Sequence, residues 1–210
     1  MKKKKSLLIL IKRLSFSIGG TSLFDEASVN IPTGHKVGIV GRNGTGKTSL
    51  FKLIRNEWTL DSGAIEIPSH FRIGGVEQEA PATNDSLIET VMMADKERTS
   101  LLAEAEIATD PNRIAEIQIR LVDIDAYSAE ARASIILSGL GFNNEAQKRP
   151  CHEFSGGWRM RVALGGVLFS NPDLLLLDEP TNYLDLEGAV WLENFLAKYK
   201  NTILVISHDR

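Results

Sequence analysis

The sequence predicts an α/β core with a mixed sheet and an inserted helical subdomain, and three observations carry that expectation. A strand candidate at Lys36–Val40 runs straight into the glycine-rich stretch Gly41–Gly46 and then into a helix candidate at Lys47–Arg55. Four consecutive leucines, Leu174–Leu177, read as a strand buried on both faces, as a central parallel strand is. Between these, from Ser86 to about Leu140, apolar residues recur at helical spacing. Strands alternating with helices around an all-helical insert give the α/β class. The core is expected in 1–80 and 150–210, and the helical subdomain in 81–149.

Each element has a local reason. Lysines precede a short apolar run in Met1–Ile11, but Leu7–Ile11 is too short for the core of a signal peptide and no small-residue cleavage site follows. Lys2–Lys5 therefore reads as a solvated tail leading into a first strand. Val29–Ile31 and Lys36–Val40 read as short strands about the turn Pro32-Thr33-Gly34. Ala64–Ile67 and Phe71–Val76 cluster apolar residues around Pro68-Ser69, as a hairpin-like pair would. In the helical stretch Leu87 and Val91, then Leu101, Leu102 and Ala105, share a face, while Pro111 is suited to open a helix and Gly141 to stop one. Asn143–Phe154 is loop-like and a helix begins near Gly157. Asp185 is placed to cap a helix holding Val190, Leu192 and Leu196, and Thr202–Ser207 is one more strand.

The 210 residues, with 43% apolar content and a net charge of −3, describe a globular, mildly acidic chain without the strongly basic footprint of many nucleic-acid binders. Cys151 is the only cysteine, so no intrachain disulfide forms, as suits a reducing cytosol. The longest aliphatic runs fall far short of the roughly 20 residues that cross a bilayer, and a cytoplasmic location is expected.

Gly41-Arg42-Asn43-Gly44-Thr45-Gly46-Lys47-Thr48 matches the phosphate-binding pattern G-x-x-x-x-G-K-[ST] in full, between a strand and a helix. Glycines permit the backbone angles that turn successive N–H groups inward, and the following helix presents its positive end. Lys47 is expected to reach the β- and γ-phosphates of a nucleotide, with the Thr48 hydroxyl on Mg²⁺. Leu174–Leu177 delivers Asp178 and Glu179 to the carboxyl end of a buried strand, where α/β sheets hold their ligands. Asp178 suits the magnesium, and Glu179 suits a general base acting on water.

More specific wording follows. Phe154-Ser155-Gly156-Gly157-Trp158-Arg159-Met160-Arg161 resembles the signature segment of ATP-binding cassette (ABC) proteins, and Asp178–Glu187 resembles their Walker B and D-loop segments. Ser207-His208-Asp209-Arg210 resembles the switch-histidine segment, and Gln78 the Q-loop glutamine. The motifs occur in family order, and the resemblance runs from about Ile18 onward. Trp158 stands where transport cassettes usually carry glutamine, and Thr181-Asn182-Tyr183-Leu184-Asp185 departs from their D-loop wording. Both are similar to ABC-F, a soluble branch with two cassettes per chain that acts on ribosomes. Ile124–Ser128, Leu140-Gly141-Phe142 and Gly34–Gly38 are also similar to bacterial ABC-F members.

The resemblance implies a P-loop ABC ATPase that uses ATP and Mg²⁺. Gln78 would serve catalysis and the metal, His208 would sense the γ-phosphate, and Asp185 would belong to the nucleotide site. Ser155, Gly156 and Gly157 would contact ATP held by a second cassette, so that full hydrolysis needs a pair. Association with the ribosome and its RNA is implied as well. By the same resemblance the chain is expected to be a first cassette shortened at its carboxyl end. A transporter's ATPase subunit and a non-hydrolysing ATP-binding module are the alternatives.

Two departures stand out. The family stacks an aromatic residue on adenine where this sequence has Ile18, with Phe16 or Phe24 as candidate substitutes. Gly165 and Gly166 fall inside a helix, at about 1 kcal/mol each relative to alanine, so fraying is expected there.

Overall fold

The computed structural model describes residues 7–76 and 82–207. Two compact units emerge: the described residues of Met1–Gly75, Pro172–Asn182 and Lys198–Arg210 form one, and those of Val76–Asn171 and Tyr183–Ala197 the other.

The first unit holds two sheets. β1 (Leu7–Ile18) and β2 (Thr21–Pro32) form a long antiparallel pair, and β4 (Ser62–Glu66) flanks β1 on its other side. Burial in β1 falls on Ile9 and Ile11, then on Leu14 and Phe16. That one-residue slip in a period-two pattern is absorbed by register shifts between Ile11 and Leu14 against β2 and between Lys12 and Ser15 against β4. Arg13 sits inside the bulge with φ 43°. Gly63 of β4 answers it: with φ +88°, an added Cβ would stand 2.2 Å from the Arg13 carbonyl oxygen. Lys12 and Glu66 pair across the same strands at 2.7 Å.

The second sheet is parallel throughout, in the order β3-β7-β6-β5, with β3 at Lys36–Ile39, β5 at Ile73–Gly75, β6 at Leu174–Asp178 and β7 at Thr202–Ile206. Leu174, Leu175, Leu176 and Leu177 are all fully buried, as expected for an internal strand. Helix α1 (Lys47–Ile54) buries Phe51, Leu53 and Ile54 in a core shared with Ile9, Leu14, Leu174, Leu176 and Leu204. The expected mixed sheet is thus an antiparallel three-stranded sheet and a parallel four-stranded one.

The expected pairing of Ala64–Ile67 with Phe71–Val76 is corrected. β4 pairs with β1, and β5 lies in the other sheet beside β6. The connection carries its own turn, closed by Phe71 N–H donating to the Pro68 carbonyl at 3.0 Å, and Gly74 lets β5 run against Pro172, whose Cγ would lie 2.6 Å from a Cβ there. β2 is also much longer than the expected Val29–Ile31, because most of its residues are exposed and leave no apolar alternation to read.

In the second unit the Ser86–Leu140 stretch forms α2 (Leu87–Met93), α3 (Lys96–Ile107), α4 (Pro111–Asp123) and α5 (Ala129–Gly139). Ser86 and Glu89 form a reciprocal capping box on α2, Asp95 caps α3, and Asp110 caps α4 with Pro111 at its first position. Leu101, Leu102 and Ala105 pack on Ile117, Leu121 and Ala126. Helices α6 (Gly156–Ser170) and most of α7 (Leu186–Lys198) belong to this unit, which therefore takes in more chain than the expected 81–149. Fraying at Gly165 and Gly166 does not occur, and α6 is continuous through both. An added Cβ would meet Leu140 at 3.3 Å and Val91 at 3.4 Å from Gly165, and Ala94 at 3.1 Å from Gly166. The pair lets neighbouring helices approach, and that packing offsets the propensity cost.

Gly63→Ala should destabilise the chain by about 2 kcal/mol or more in urea unfolding, since a Cβ both strains φ and overlaps the β1 backbone. An unchanged midpoint would show that the bulge and Gly63 are not locked together.

Candidate functional site

Parallel pairing puts the carboxyl ends of β3, β6 and β7 along one edge of the sheet. The loop after β3 turns into α1 through Gly44 and Gly46, at φ 80° and 90°. Gly46 is buttressed from beneath: its added Cβ would stand 3.1 Å from the Phe24 ring and 3.2 Å from Leu23 Cβ. Lys47 Nζ curls over the loop and donates to the carbonyls of Gly41 at 2.7 Å and Arg42 at 3.0 Å. The Thr45 hydroxyl donates to the same Arg42 carbonyl at 2.9 Å. Helix α1 has no side-chain cap and no acid in its first turn, so its leading amides are left to an external acceptor.

Across the loop, the Thr48 hydroxyl donates to Asp178 Oδ2 at 2.6 Å. Glu179 follows in a left-handed conformation, φ 47°, unusual for a residue with a side chain. Its N–H donates to the Ile206 carbonyl at 3.0 Å, and its carbonyl accepts from Asn182 N–H at 3.1 Å. The turn is therefore held on both sides, which sustains the strain.

Gly44, Gly46, Lys47, Thr48, Asp178 and Glu179 line a cleft of about 470 Å³, closed on another side by Ile18, Thr21 and Leu23. Glycine amides, a helix amino end and Lys47 are the donors a polyphosphate needs. Thr48 and Asp178 are hard oxygen donors, already within 2.6 Å of each other. Mg²⁺ is commonly held by one or two such groups plus substrate phosphates, not by an all-protein cage. The described residues contain no cluster of three or more His, Cys, Asp or Glu, and the donor set fits Mg²⁺ bound together with a nucleotide.

The remaining candidates divide. Gln78 and His208 lie outside the described residues, although Val76 and Ser207 precede them closely. Ser155, Gly156, Gly157 and Asp185 are carried by the second unit. Ser155 occupies the N-cap position of α6, but its side chain makes no capping hydrogen bond. Gly156 and Gly157 have nothing within 4 Å of an added Cβ. Asp185 does cap, accepting from Gly188 N–H at 2.9 Å.

Some functional geometry was not foreseen. Arg161, only 9% exposed, donates to the carbonyls of Tyr183 at 2.6 Å and Leu140 at 3.1 Å and to Asp185 at 3.0 Å. Its guanidinium also lies 4.2 Å from the Trp158 ring centre, while Trp158 meets Phe142 edge to face at 5.1 Å. Its place three residues after Trp158, on the helix face it shares with buried Leu164 and Leu168, was the available signal. Thr21 and Leu23 were also missed, because only the β1–β2 register carries them to the cleft. Neither candidate substitute for an aromatic at Ile18 lines the cleft: Phe16 is buried and stacked on Trp58 at 5.7 Å, and Phe24 backs Gly46.

Comparison with known proteins bears on this arrangement. The family described as ABC transporter matches residues 24–182. The chain is 44% identical over 206 residues to the Haemophilus influenzae "Probable ATP-binding protein YheS", covering 97% of this chain and 32% of that protein. It is 43% identical over 219 residues to human ATP-binding cassette sub-family F member 3, covering 99% of this chain and 30% of that protein. The chain thus spans about a third of these relatives' length. Among solved structures, an ATP-binding subunit of an ABC transporter aligns at TM-score 0.70 and 18% identity, covering 96% of this chain and 80% of that one, which is likeness of fold. Clostridium perfringens cbiO1, part of the ABC transporter complex cbiONQ, aligns at 0.63 and 25% identity, covering 97% and 79%. Among the described residues no helix is long and apolar enough to cross a membrane.

The Gly188 amide first, and the Arg161 guanidinium second, hold the Asp185 carboxyl below the ordinary value of 3.8. A depressed folded value means that this contribution to stability is complete above about 4 and is lost as pH falls through the lowered value. In a carboxyl NMR titration Asp185 should bend below 3.8 and move upward in Arg161→Met. An unmoved value would leave the Gly188 amide as the whole cause.

Proposed function

The chain belongs to the ABC family of ATP-binding cassettes, matched over residues 24–182, and from that premise we propose that it is a Mg-ATP-hydrolysing cassette of the ABC-F type. The observation that supports this most is the Thr48–Asp178 hydrogen bond of 2.6 Å at the mouth of the glycine loop, with Glu179 next in the chain. It brings two oxygen donors suited to magnesium beside a phosphate nest and leaves a carboxylate adjacent.

In this reading Gly41, Arg42, Asn43, Gly44, Thr45 and Gly46 wrap the phosphates with backbone N–H groups. Lys47 exchanges its two carbonyl partners for phosphate oxygens, a stronger charge-assisted contact. Thr48, Asp178 and Gln78 would hold the magnesium, which would offset charge building on the phosphate oxygens. Glu179 orients a water and takes its proton as the water oxygen bonds to the γ-phosphorus, while the bond to the bridging oxygen breaks and ADP leaves with its electron pair. His208 contacts the γ-phosphate.

Ser155, Gly156 and Gly157 contact the nucleotide of a second cassette, in keeping with a hydroxyl not used for capping and two glycines open to approach. Asp185 keeps the neighbouring turn in shape through Gly188 and Arg161. The ABC-F assignment is favoured over a transporter subunit by identities of 44% and 43% across nearly the whole chain, against 18% and 25% for the transporter structures. A cytoplasmic role on the ribosome and its RNA is part of the same proposal.

Glu179→Gln should leave the Kd for Mg-ATP unchanged and lower turnover by about a hundredfold or more. Wild-type activity should rise faster than linearly with chain concentration, since each site borrows a signature. Turnover that survives the substitution would remove Glu179 as the base, and strictly linear activity would remove the pairing.

A further inference from the structure

We infer that the outward face of α4, together with the tyrosine that follows it, is a docking surface for a basic protein helix carrying an apolar stripe. The surface lies wholly within the second unit and is independent of the nucleotide reading.

α4 has two apolar faces, and only one is covered. Ile117 and Leu121 are buried in the cluster with Leu101, Leu102 and Ala105. Ile119 and Val122, three residues apart and so neighbours on the helix surface, are 64% and 65% exposed. Tyr127 joins them. Its hydroxyl donates to Gln118 Oε1 at 2.7 Å, one turn before Val122, and the residue is 69% exposed. The turn that presents it is both unusual and braced. Asp125 is left-handed at φ 54°, its carbonyl accepts from Arg132 Nη2 at 3.2 Å, and its carboxylate accepts from the Ser128 hydroxyl. Arg132 Nε donates to Ser128 Oγ at 3.1 Å. A side chain held there persists only where neighbours enforce it, and such positions cluster where ligands are gripped.

Charge selects the partner. Acids outnumber Lys and Arg two to one in the second unit. The arginines of α4 are already engaged, Arg113 by Glu104 and Glu116 and Arg120 by Glu97. Asp123, beside Val122 in the chain, and Glu130, three residues after Tyr127, form no ion pair among the described residues. The patch is therefore bordered by net negative charge. That charge repels a phosphate backbone, and it would set acid against acid if two copies met through this same face. A helix with an apolar stripe at i, i+3 and i+4 and flanking Lys or Arg answers both parts of the surface. Tyrosine is a residue type that anchors such contacts.

A fluorescent amphipathic helical peptide of leucine and lysine, titrated with the whole 210-residue chain, tests this by anisotropy. It should bind in the micromolar range. Ile119→Ser with Val122→Ser, and separately Tyr127→Ala, should weaken binding by about tenfold or more while far-UV circular dichroism stays unchanged. Ile107→Ser, at a 79% exposed position at the end of α3, should bind as wild type does. A lysine and serine peptide of equal charge should bind at least about tenfold more weakly than the leucine and lysine one. The inference is overturned if the leucine and lysine peptide does not bind, if the patch substitutions leave its affinity unchanged, or if Ile107→Ser costs as much as they do. Equal binding of the lysine and serine peptide would reduce the surface to charge alone and overturn it too. So would a labelled single-stranded RNA oligonucleotide whose binding falls with the same patch substitutions, because the partner would then be nucleic acid.

Discussion

The amino end of α1 is the constraint around which the first unit is arranged. The leading amides of a helix have no partner within it, and burial without a partner is costly, so some acceptor must be provided. Here neither a capping side chain nor an acid in the first turn provides one. The remainder of the unit keeps that end in place. Phe51, Leu53 and Ile54 anchor the helix in the core, β3 is paired along its length with β7, and Leu23 and Phe24 close off the space beneath Gly46. The result is a rigid, donor-rich loop facing Thr48 and Asp178.

What could be read from the sequence was what is local in the chain. Gly41–Thr48 is contiguous, and the run Leu174–Leu177 marks both its own burial and the place where Asp178 emerges. Capping by Asp185 and helix opening by Pro111 were legible for the same reason, since a cap and its amide lie three residues apart or fewer. Strand partnership is not local. Nothing in Ala64–Ile67 says that it pairs with β1, and the bulge at Arg13 becomes meaningful only when Gly63 lies against it. Mostly exposed β2 shows how a strand can form through backbone pairing with little apolar pattern to announce it.

The same distinction explains Arg161. A cation in a largely apolar helix suggests a solvated position, yet Arg161 is nearly buried because partners distant in sequence converge on it. Removing a guanidinium from water is expensive, and the expense is tolerable only when its donors are satisfied. Two backbone carbonyls, the Asp185 carboxylate and the Trp158 ring face meet that requirement. Asp185 in turn holds the Gly188 amide, so the start of α7 and the early turns of α6 share one polar junction. Trp158, which in sequence only marked a branch of the family, is structurally the apolar wall of that junction.

Capping chemistry across the chain supports the proposed division of labour. Ser86, Asp95, Asp110 and Asp185 satisfy the starts of α2, α3, α4 and α7, and α5 carries Glu130 in its first turn. Among the described α-helices, only α1 and α6 have neither a capping side-chain bond nor an acid there, and each begins at a glycine motif. Such a cap is typically worth about 1 kcal/mol, so its absence at these two helices is a departure from the chain's own habit. A carboxylate in the first turn would compete with, and repel, an incoming phosphate. Helix ends kept free of both are ends suited to an anionic ligand, as the proposed function asks of α1 and α6.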